Sequence, residues 1–429
     1  MIKDKNKFKM LKYKKIYVIK ILIIILLILF SISYYKLKLF INNDYNSYKS
    51  INLLDIRDNI EDLKDHQIIF NEAIEYAKKN NIKKIIIPEG VYNIYNPINL
   101  HEMEGIIIQG VGDVVINYNT EKYYAVNLGS TKNIVIYNIK FINKGQNRSF
   151  AIYCGTHSKN IRISSCEFYN STDVSIKLYN TFNLIIDNNK FIETSNGCIQ
   201  ILNTPKNILI YNNKIEHYTG IAIKIYSPND YTGRNIFIKS NYIKFPDKTE
   251  GSEYTMGIEI HKNNKNIVVE KNLVEGITDM GISLSGTRNI ICKYNAIFNE
   301  ELINLGYGVG LEVVLSKYCI IKNNYIKGDF KRSNIFLDKS NNCTLINNMI
   351  IGIEKSNYNN ENYILEIDGY DNKILSNRII NGTYGILVHK SSYSNIYINN
   401  VLKNSYKPIS LRTGYNEEKD NIYRYNKID

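Results

Sequence analysis

A nine-residue phrase that repeats along most of the chain constrains the fold more than any other feature. The phrase starts at an Asn, has apolar residues at its second, fourth and last places, and has polar residues at its sixth and seventh places, as in Asn183–Phe191. It recurs at intervals of 23 to 31 residues, and such a period indicates a solenoid. The phrases begin at Asn133, Asn160, Asn183, Asn207, Asn235, Asn266, Asn289, Tyr318, Asn342, Asn372, Asn395 and Asn421.

Each repeat also carries a second short strand pattern upstream of the phrase, often opened by Gly, as at Gly257 and Gly310. Both patterns alternate with a period of two, are rich in β-branched Ile and have no helical pattern between them. The sequence therefore predicts an all-β fold, a parallel β-helix. A leucine-rich repeat is the alternative, because Ile208–Ile215 fits its strand phrase. It is disfavoured because the rest of each coil has the pattern of another strand.

The positive charge lies at one end of the chain. The formal net charge is +13, but residues 1–49 hold eleven lysines and two aspartates, so that only +4 belongs to residues 50–429. Nucleic-acid-binding domains concentrate basic residues on the folded surface. We therefore predict that nucleic acid is not a partner.

An apolar stretch covers residues 16–35, after seven lysines in residues 1–15. About 20 apolar residues can cross a bilayer, and lysines favour its cytoplasmic side. We predict a basic cytoplasmic tail (1–15), one transmembrane helix as signal anchor (16–35), a stalk (36–60) and an extracytoplasmic β-helix domain (61–429). The alternative is a cleaved signal peptide with Ser31 and Ser33 at the cleavage site, which would make the protein secreted.

The segment after the stalk has the pattern of a helix that covers the first coil. Phe70, Ala73, Ile74 and Ala77 lie three and four residues apart, which is the apolar stripe of an amphipathic helix. A solenoid needs a cover for its first apolar cross-section. The sequence therefore predicts a capping helix over residues 66–80.

Three consecutive segments together resemble a known family. Asp65–Ala77 holds the pattern Ala-Ile-x-x-Ala, Ile85–Tyr92 holds Pro-x-Gly-x-Tyr, and Ile106–Gly112 ends in Gly-x-Gly. They are similar to the entry motif of the pectate-lyase-like superfamily of right-handed parallel β-helix proteins. The resemblance implies a right-handed coil. It leaves open polysaccharide lyases, glycoside hydrolases, uronate epimerases, phage tailspikes and noncatalytic surface proteins, since a fold alone does not fix an activity.

Asparagines and cysteines have structural interpretations. Pairs such as Asn188 with Asn189 sit where a coil must turn, because Asn tolerates the left-handed conformation and its amide can bond the next coil. Six cysteines lack the spacing of a metal knuckle. Cys319 and Cys343 share one repeat position, so they could form a bridge if oxidised, although two buried thiols are the expected state.

The outer face of the upstream strands is where chemistry is predicted. Alternate residues of a strand point outward and form ladders across successive coils. In the C-terminal half these ladders concentrate carboxylates, imidazoles and an Arg. The predicted catalytic residues are Asp338, Asp368, His389 and Glu312. The predicted substrate-binding residues are Arg412, Glu366, Glu259, His261, Tyr226 and Tyr179.

Stacking sets the expected distances between the carboxylates. Asp338 and Asp368 on adjacent coils would lie roughly 5 Å apart, which suits a retaining hydrolase. Glu312 with Asp338, on a diagonal, suits the roughly 6.5 to 9.5 Å of an inverting pair. Such carboxylates could instead bind a hard cation. Because outward residues of a solenoid are polar in any case, the cluster could also be a solvated surface, which is how Lys177 and Lys224 are interpreted.

Two functions follow from these observations. The first is an extracytoplasmic enzyme, a glycoside hydrolase or a polysaccharide lyase or epimerase, that acts on an acidic glycan along the outward ladders. The alternative is a noncatalytic surface protein that binds glycan or is adhesive. The expected partners are a polysaccharide and, through the N-terminal helix, a membrane. No metal ligands are predicted, and Ca²⁺ enters only as a cofactor of the lyase reaction.

Overall fold

The computed structural model describes residues 48–57, 63–245, 255–299, 308–353, 363–411 and 421–428. Within these ranges the chain winds as an all-β, right-handed parallel β-helix. Strands of successive coils pair in parallel, for example Ile176 with Ile199 and Ile199 with Ile223. The predicted β-helix is therefore confirmed.

Each coil contributes strands to three rows. The first row, formed by the repeated phrase, is one sheet. Its strands are Ser50–Asn52, Lys84–Ile87, Glu104–Gly110, Lys132–Tyr137, Ser158–Ser164, Thr181–Asp187, Lys206–Tyr211, Gly233–Lys239, Asn264–Glu270, Arg288–Lys293, Lys317–Lys322, Thr344–Ile346, Lys373–Leu375, Ile396–Ile398 and Ile422–Arg424.

The second row follows the turn after the phrase, and the third row is the upstream strand of the next repeat. The second-row strands are Gly90–Ile94, Val114–Tyr118, Lys140–Asn143, Glu167–Tyr169, Lys190–Thr194, Lys214–Tyr218, Tyr242–Lys244, Leu273–Glu275, Ala296–Asn299, Tyr325–Gly328, Met349–Ile351 and Lys427–Ile428. The third-row strands are Ile98–Asn99, Tyr124–Asn127, Phe150–Cys154, Ile176–Tyr179, Gly197–Leu202, Gly220–Tyr226, Thr255–His261, Met280–Ser285, Val309–Val314, Ser333–Asp338 and Tyr363–Ile367. Two long strands, Arg378–Val388 and Val401–Leu411, run through both rows.

Asparagines form the turn between the first two rows, as predicted. Asn188 and Asn212 have φ angles of 57° and 54°, the left-handed conformation that Asn tolerates better than most residues. The following residue points inward, where Asn189 Nδ2 donates to Asn213 Oδ1 at 3.0 Å. This buried amide ladder continues through Asn241, Asn272, Asn295, Asn324, Asn348, Asn377, Asn400 and Asn426.

The core is a stack of like side chains. Inward positions of the third row are mostly Ile and Leu and are fully buried, and the second row adds a stack of Phe141, Phe168 and Phe191 with ring centroids 5.4 and 4.8 Å apart. Each such side chain contributes about 1.5–3 kcal/mol through burial. Because every coil buries the same positions, the outer face is free to vary.

One α-helix, Gln67–Lys79, lies close to the predicted bounds 66–80. Its buried residues include the predicted stripe of Phe70, Ala73, Ile74 and Ala77. The Asp65 carboxylate accepts the Gln67 N–H at 3.0 Å and stabilises the helix start.

The first coil begins earlier than the predicted domain boundary at residue 61. Strand Ser50–Asn52 pairs with Lys84–Ile87, and a 3₁₀ turn follows at Leu53–Asp55. Ile51 and Leu53 are buried in the core, so the end of the predicted stalk (36–60) belongs to the β-helix. A single short strand among polar residues gives no repeat signal, which is why the sequence pattern missed it.

The predicted tail (1–15) and transmembrane segment (16–35) lie outside the described residues. In the described ranges, no helix has both the length and the apolar composition that crossing a bilayer requires.

All six cysteines are buried free thiols. Burial raises the pKa of Cys166, Cys198 and Cys292 to about 12, so these thiols stay protonated. Cys319 and Cys343 are neighbours, and the hydrogen bond between them, with burial, raises the pKa of Cys319 well above its ordinary value. The pair is thus in the thiol state that the sequence analysis favoured.

Candidate functional site

The outer face of the third row carries two ladders in the predicted register. Strand pairing aligns the first as Lys177, Gln200, Lys224, Glu259, Ser283, Glu312, Phe336 and Glu366. It aligns the second as Tyr179, Leu202, Tyr226, His261, Ser285, Val314 and Asp338. Phe336 is an apolar interruption, and it is buried.

Glu312 lies at the centre of the acidic part of the face. Its side chain is almost fully buried although it belongs to an outward position, with a relative exposure of 5% for the residue. One carboxylate oxygen, Oε2, accepts a hydrogen bond from the Ser283 hydroxyl at 3.0 Å. Burial, together with the negative charges of Asp338, Asp279 and Glu259, raises the pKa of Glu312 to about 7. Glu312 therefore holds a proton at a pH where an ordinary carboxyl has lost it.

Asp338 lies diagonally across from Glu312. Glu312 pairs with Phe336, and Asp338 is two residues further along that neighbouring strand. One strand spacing combined with two residues of rise gives a backbone separation of roughly 8 Å. Burial and the nearby Asp368 raise the pKa of Asp338. Asp368 follows strand Tyr363–Ile367 on the next coil and accepts a hydrogen bond from Ser391.

Glu366 anchors a group of three side chains beside these acids. Arg332 donates to both of its oxygens, from Nε at 2.8 Å and from a terminal nitrogen at 3.2 Å, and His389 Nε2 lies 2.6 Å from Oε1. The Arg332 guanidinium also lies 3.6 Å from the centre of the Phe336 ring. Burial would raise the pKa of Glu366, but the hydrogen bonds from His389 and Arg332 outweigh it and hold that pKa below the ordinary value.

A second charged group lies two coils before Glu312. Glu259 contacts His261 Nδ1 at 3.1 Å and forms an ion pair with Lys224 at 2.9 Å. Burial would raise the pKa of Glu259, but these two partners hold it below the ordinary value. The His261 ring also packs edge-on against Tyr226, with centroids 5.6 Å apart. Lys224 is thus a partner of a buried carboxylate, and its interpretation as merely solvated is wrong.

The structure brings eight of the ten predicted site residues into two adjoining groups. One contains Glu312, Asp338, Asp368, Glu366 and His389, and the other contains Glu259, His261 and Tyr226. Tyr179 lies further along the same face in a separate aromatic cluster, and Arg412 lies outside the described residues.

Sequence analysis missed two charged residues in these groups, Arg332 and Asp279. Arg332 precedes strand Ser333–Asp338, and Asp279 precedes Met280–Ser285, so neither occupies a ladder position. Burial and the charge of Glu259 raise the pKa of Asp279. The one available signal was their place directly before a third-row strand.

The described residues contain no group of three or more His, Cys, Asp or Glu side chains arranged to hold a metal ion. His261 and His389 each contact a glutamate, and the cysteines are buried in the core. The acids of this face are close enough to shift one another's pKa values through their charges. Among the described residues they do not converge on a position that could hold a metal ion.

Two family models match the chain in adjoining segments. The right-handed beta helix region matches residues 104–244, and the periplasmic copper-binding protein NosD matches residues 244–429. Copper prefers imidazole and thiolate ligands, and the described residues assemble no such set. The residues that the structure describes therefore do not fit copper. No curated protein matches the chain.

Solved structures with the same fold belong to proteins of several kinds. The surface adhesin PfbA of Streptococcus pneumoniae is 15% identical with a TM-score of 0.60, over 84% of this chain and 92% of that one. The tailspike of E. coli bacteriophage HK620, in complex with a pentasaccharide, is 12% identical with a TM-score of 0.53, over 87% and 78%. DFA-IIIase from Arthrobacter chlorophenolicus A6 is 12% identical with a TM-score of 0.51, over 82% and 94%.

These likenesses show the fold, and they agree with the coil register, the parallel pairing and the two family models. The chain belongs to the right-handed parallel β-helix proteins.

Proposed function

We propose that the protein is an extracytoplasmic enzyme that cleaves an acidic polysaccharide, with Glu312 as the proton donor. The observation that carries this proposal is the position of Glu312, a nearly buried carboxyl whose pKa is raised to about 7 by burial and by three neighbouring acids. A structural carboxylate gains its stability from cationic partners, as Glu366 does with Arg332. Groups with perturbed pKa values concentrate at catalytic sites.

Hydrolysis of a glycosidic bond fits this pair of acids. Glu312 gives its proton to the glycosidic oxygen as the bond to the anomeric carbon breaks. Asp338, in its charged form, takes a proton from the water that bonds to that carbon. The two residues lie roughly 8 Å apart at the backbone on a diagonal. Inverting enzymes need roughly 6.5 to 9.5 Å between their carboxyl groups, so that a water fits between them, and this diagonal placement is compatible with that spacing. Asp368, one coil further on, would complete a retaining pair with Asp338.

Cationic groups beside the acids favour an acidic substrate. Glu366 contacts both Arg332, on the coil of Asp338, and His389, on the coil after that of Asp368. A sugar carboxylate next to Arg332 would have its charge neutralised, which is also what β-elimination or epimerisation requires before a proton is removed beside that carboxylate. Glu366 would then act as a positioning residue and not as a direct substrate ligand.

An extracytoplasmic location is supported by the basic and apolar pattern of residues 1–35 and by the match to a periplasmic family. We further propose that helix Gln67–Lys79 caps the β-helix, since it contacts the early strands Lys84–Ile87 and Ile98–Asn99 through its buried stripe. Covering the first coil would protect it from pairing with other chains.

A noncatalytic glycan-binding role is the second candidate. It is favoured by the partly exposed tyrosines on the third-row face and by the likeness to a surface adhesin. Aromatic rings provide flat apolar surfaces for sugar rings.

Incubation of the purified protein with a panel of polyuronides, with and without Ca²⁺, separates these functions. New reducing ends alone indicate hydrolysis, and unsaturated ends that absorb ultraviolet light indicate β-elimination. Glu312→Gln should slow the formation of either product by at least a hundredfold. Glu275→Gln, a change at a second-row carboxylate that contacts Tyr242, should not slow it. Binding without any product would overturn the enzymatic proposal in favour of the second candidate.

A further inference from the structure

A cluster of aromatic rings lies on the third-row face well before the acids. Tyr153 is its centre, stacked on Tyr124 at 5.1 Å and on Phe150 at 5.4 Å, with Tyr179 edge-on at 6.3 Å between centroids. The tyrosines are partly exposed. We call these four residues, with Lys177, the aromatic platform. The acidic part of the face has no comparable set of stacked rings among its described residues, so the platform has a separate task.

The aromatic platform borders a buried carboxylate that lacks one partner. The Asp173 side chain is 1% exposed, and one of its oxygens, Oδ2, accepts a hydrogen bond from the exposed Arg148. The other oxygen, Oδ1, is buried and has no hydrogen-bond partner in the described part of the chain. Buried polar atoms nearly always have a partner, because leaving one unpaired is costly. Asp173 therefore keeps one acceptor atom that nothing in the described residues satisfies.

Two basic side chains lie near this one carboxylate. Lys177 extends over the Phe150 ring, with Nζ 4.8 Å from its centre, and Arg148 bonds Asp173. The pKa of Lys177 is lowered by burial, although the charge of Asp173 opposes that effect. An ammonium that has lost part of its hydration binds an anion more strongly than one in bulk water. The cluster therefore suits a ligand that has both an anionic group and a ring that can stack on an aromatic side chain.

We propose that the aromatic platform with Arg148 and Asp173 is a remote binding subsite for an acidic sugar unit of the same glycan chain that Glu312 cleaves. A sugar ring stacks on Tyr153, and its carboxylate faces Lys177 and Arg148. This inference rests on the proposed function. It further gives the minimum length of the bound substrate and its direction along the β-helix.

The register sets that length. Lys177 and Glu312 belong to one ladder and are separated by five strand pairings, through Gln200, Lys224, Glu259 and Ser283. At about 4.8 Å a pairing they lie roughly 24 Å apart along the solenoid axis. Only an extended oligosaccharide that runs parallel to the axis can reach both positions, so a short oligomer bound at Glu312 cannot contact the platform.

The test compares Lys177→Met with Lys206→Met in the full chain. Lys206 is a matched control, because its Nζ lies 4.9 Å from the Phe182 ring in the first row and has the same cation–π setting on another face. Binding of polygalacturonate, alginate and hyaluronan, with neutral dextran as the reference, is measured by titration calorimetry. We expect Lys177→Met and Tyr153→Ala each to weaken binding of the preferred polyuronide about tenfold, as the loss of one charge-assisted contact or one stacked ring predicts. Lys206→Met should bind as the wild type does.

The outcomes separate the subsite from the enzymatic proposal. If the wild type binds but produces no new ends, and Lys177→Met still weakens binding, the proposed function fails while the subsite stands as a glycan contact. If the wild type cleaves glycan and both lysine variants bind equally, the subsite is wrong and the enzyme stands. Absence of binding to every polyuronide, or equal binding of dextran, would overturn the subsite. With cleavage present, oligomers too short to span roughly 24 Å should be cut equally well by wild type and Lys177→Met.

Discussion

Two regions of the third-row face have the same strand arrangement but carry different outward side chains. Around Tyr153 the outward positions hold aromatic rings and cations, whereas around Glu312 they hold acids with raised pKa values. The inward neighbours barely differ, since Ile176 beneath the first region and Leu311 beneath the second are both fully buried. The comparison teaches that repeated core positions fix the spacing of the face, while the outward residues are selected coil by coil. The following predictions test whether the two regions act as different parts of one site.

The largest expected effect is a fall in turnover in the Glu312→Gln variant. Removing a general acid typically costs 10²- to 10⁴-fold in rate, so kcat should fall by about that factor. Binding of the polymer should change little, because the aromatic platform is untouched. Steady-state kinetics with the cleaved polyuronide, beside calorimetric binding, measure both quantities. An equal loss of binding and turnover would mean that the two regions do not have separate tasks.

The next effect is a pH-dependent change in stability from the same substitution. The folded-state pKa of Glu312, about 7, lies above its ordinary value of 4.5, so the protonated form stabilises the fold. That contribution is complete below pH 4.5 and is lost as the pH rises through 7. Gln mimics the protonated acid, so Glu312→Gln should be more stable than the wild type by about 3 kcal/mol at pH 8 and equal to it at pH 4. Denaturant unfolding at both pH values checks this, and a variant less stable than the wild type at pH 8 would contradict it.

Glu366→Gln should have the opposite dependence on pH. Because Arg332 and His389 hold the pKa of Glu366 below 4.5, the charged form stabilises the fold above that pH, and the contribution disappears as the pH falls through the lowered pKa. At pH 7 the variant should be less stable by about 1–3 kcal/mol, since two partly buried donors lose a charged acceptor. Glu275→Gln serves as the control in thermal unfolding. No loss at pH 7 would show that the three-residue group is not a structural anchor.

The smallest effect is expected for Lys224→Met. Its ion pair with Glu259 is partly exposed, and His261 remains as a second partner, so the loss should be about 1 kcal/mol or less. Lys214→Met removes a comparable but more exposed pair with Glu216 and should change the melting temperature less. Equal shifts for the two variants would place Lys224 among ordinary surface residues.

Much of this architecture could be predicted from the chain alone. The phrase at Asn183 and its repeats defined the parallel coils, and the left-handed turn at Asn188 followed from the residue type. The register that stacks Glu259 and Glu312 on one ladder was also predictable, because the period of two leaves few alternatives.

The electrostatic state of the site was not predictable in the same way. Burial of Glu312 and the approach of Arg332 to Glu366 depend on how segments between strands fold over the face, and no periodic signal specifies them. Asp173 was missed for a similar reason, since it lies before strand Ile176–Tyr179 and not on a ladder position. Strand Ser50–Asn52 was missed because a single short strand does not repeat.

The buried amide ladder has an evolutionary consequence. Each inward Asn forms hydrogen bonds with an identical Asn in the coil before and in the coil after it, as Asn213 does with Asn189 and Asn241. For this ladder, any coil can therefore lie next to any other. Duplication or deletion of one complete coil between the aromatic platform and the acids would leave the pattern of the interior unchanged. It would change the distance between these two regions by about 4.8 Å. A protein with this interior could change the length of polymer that it binds by one coil at a time, without any change to its core.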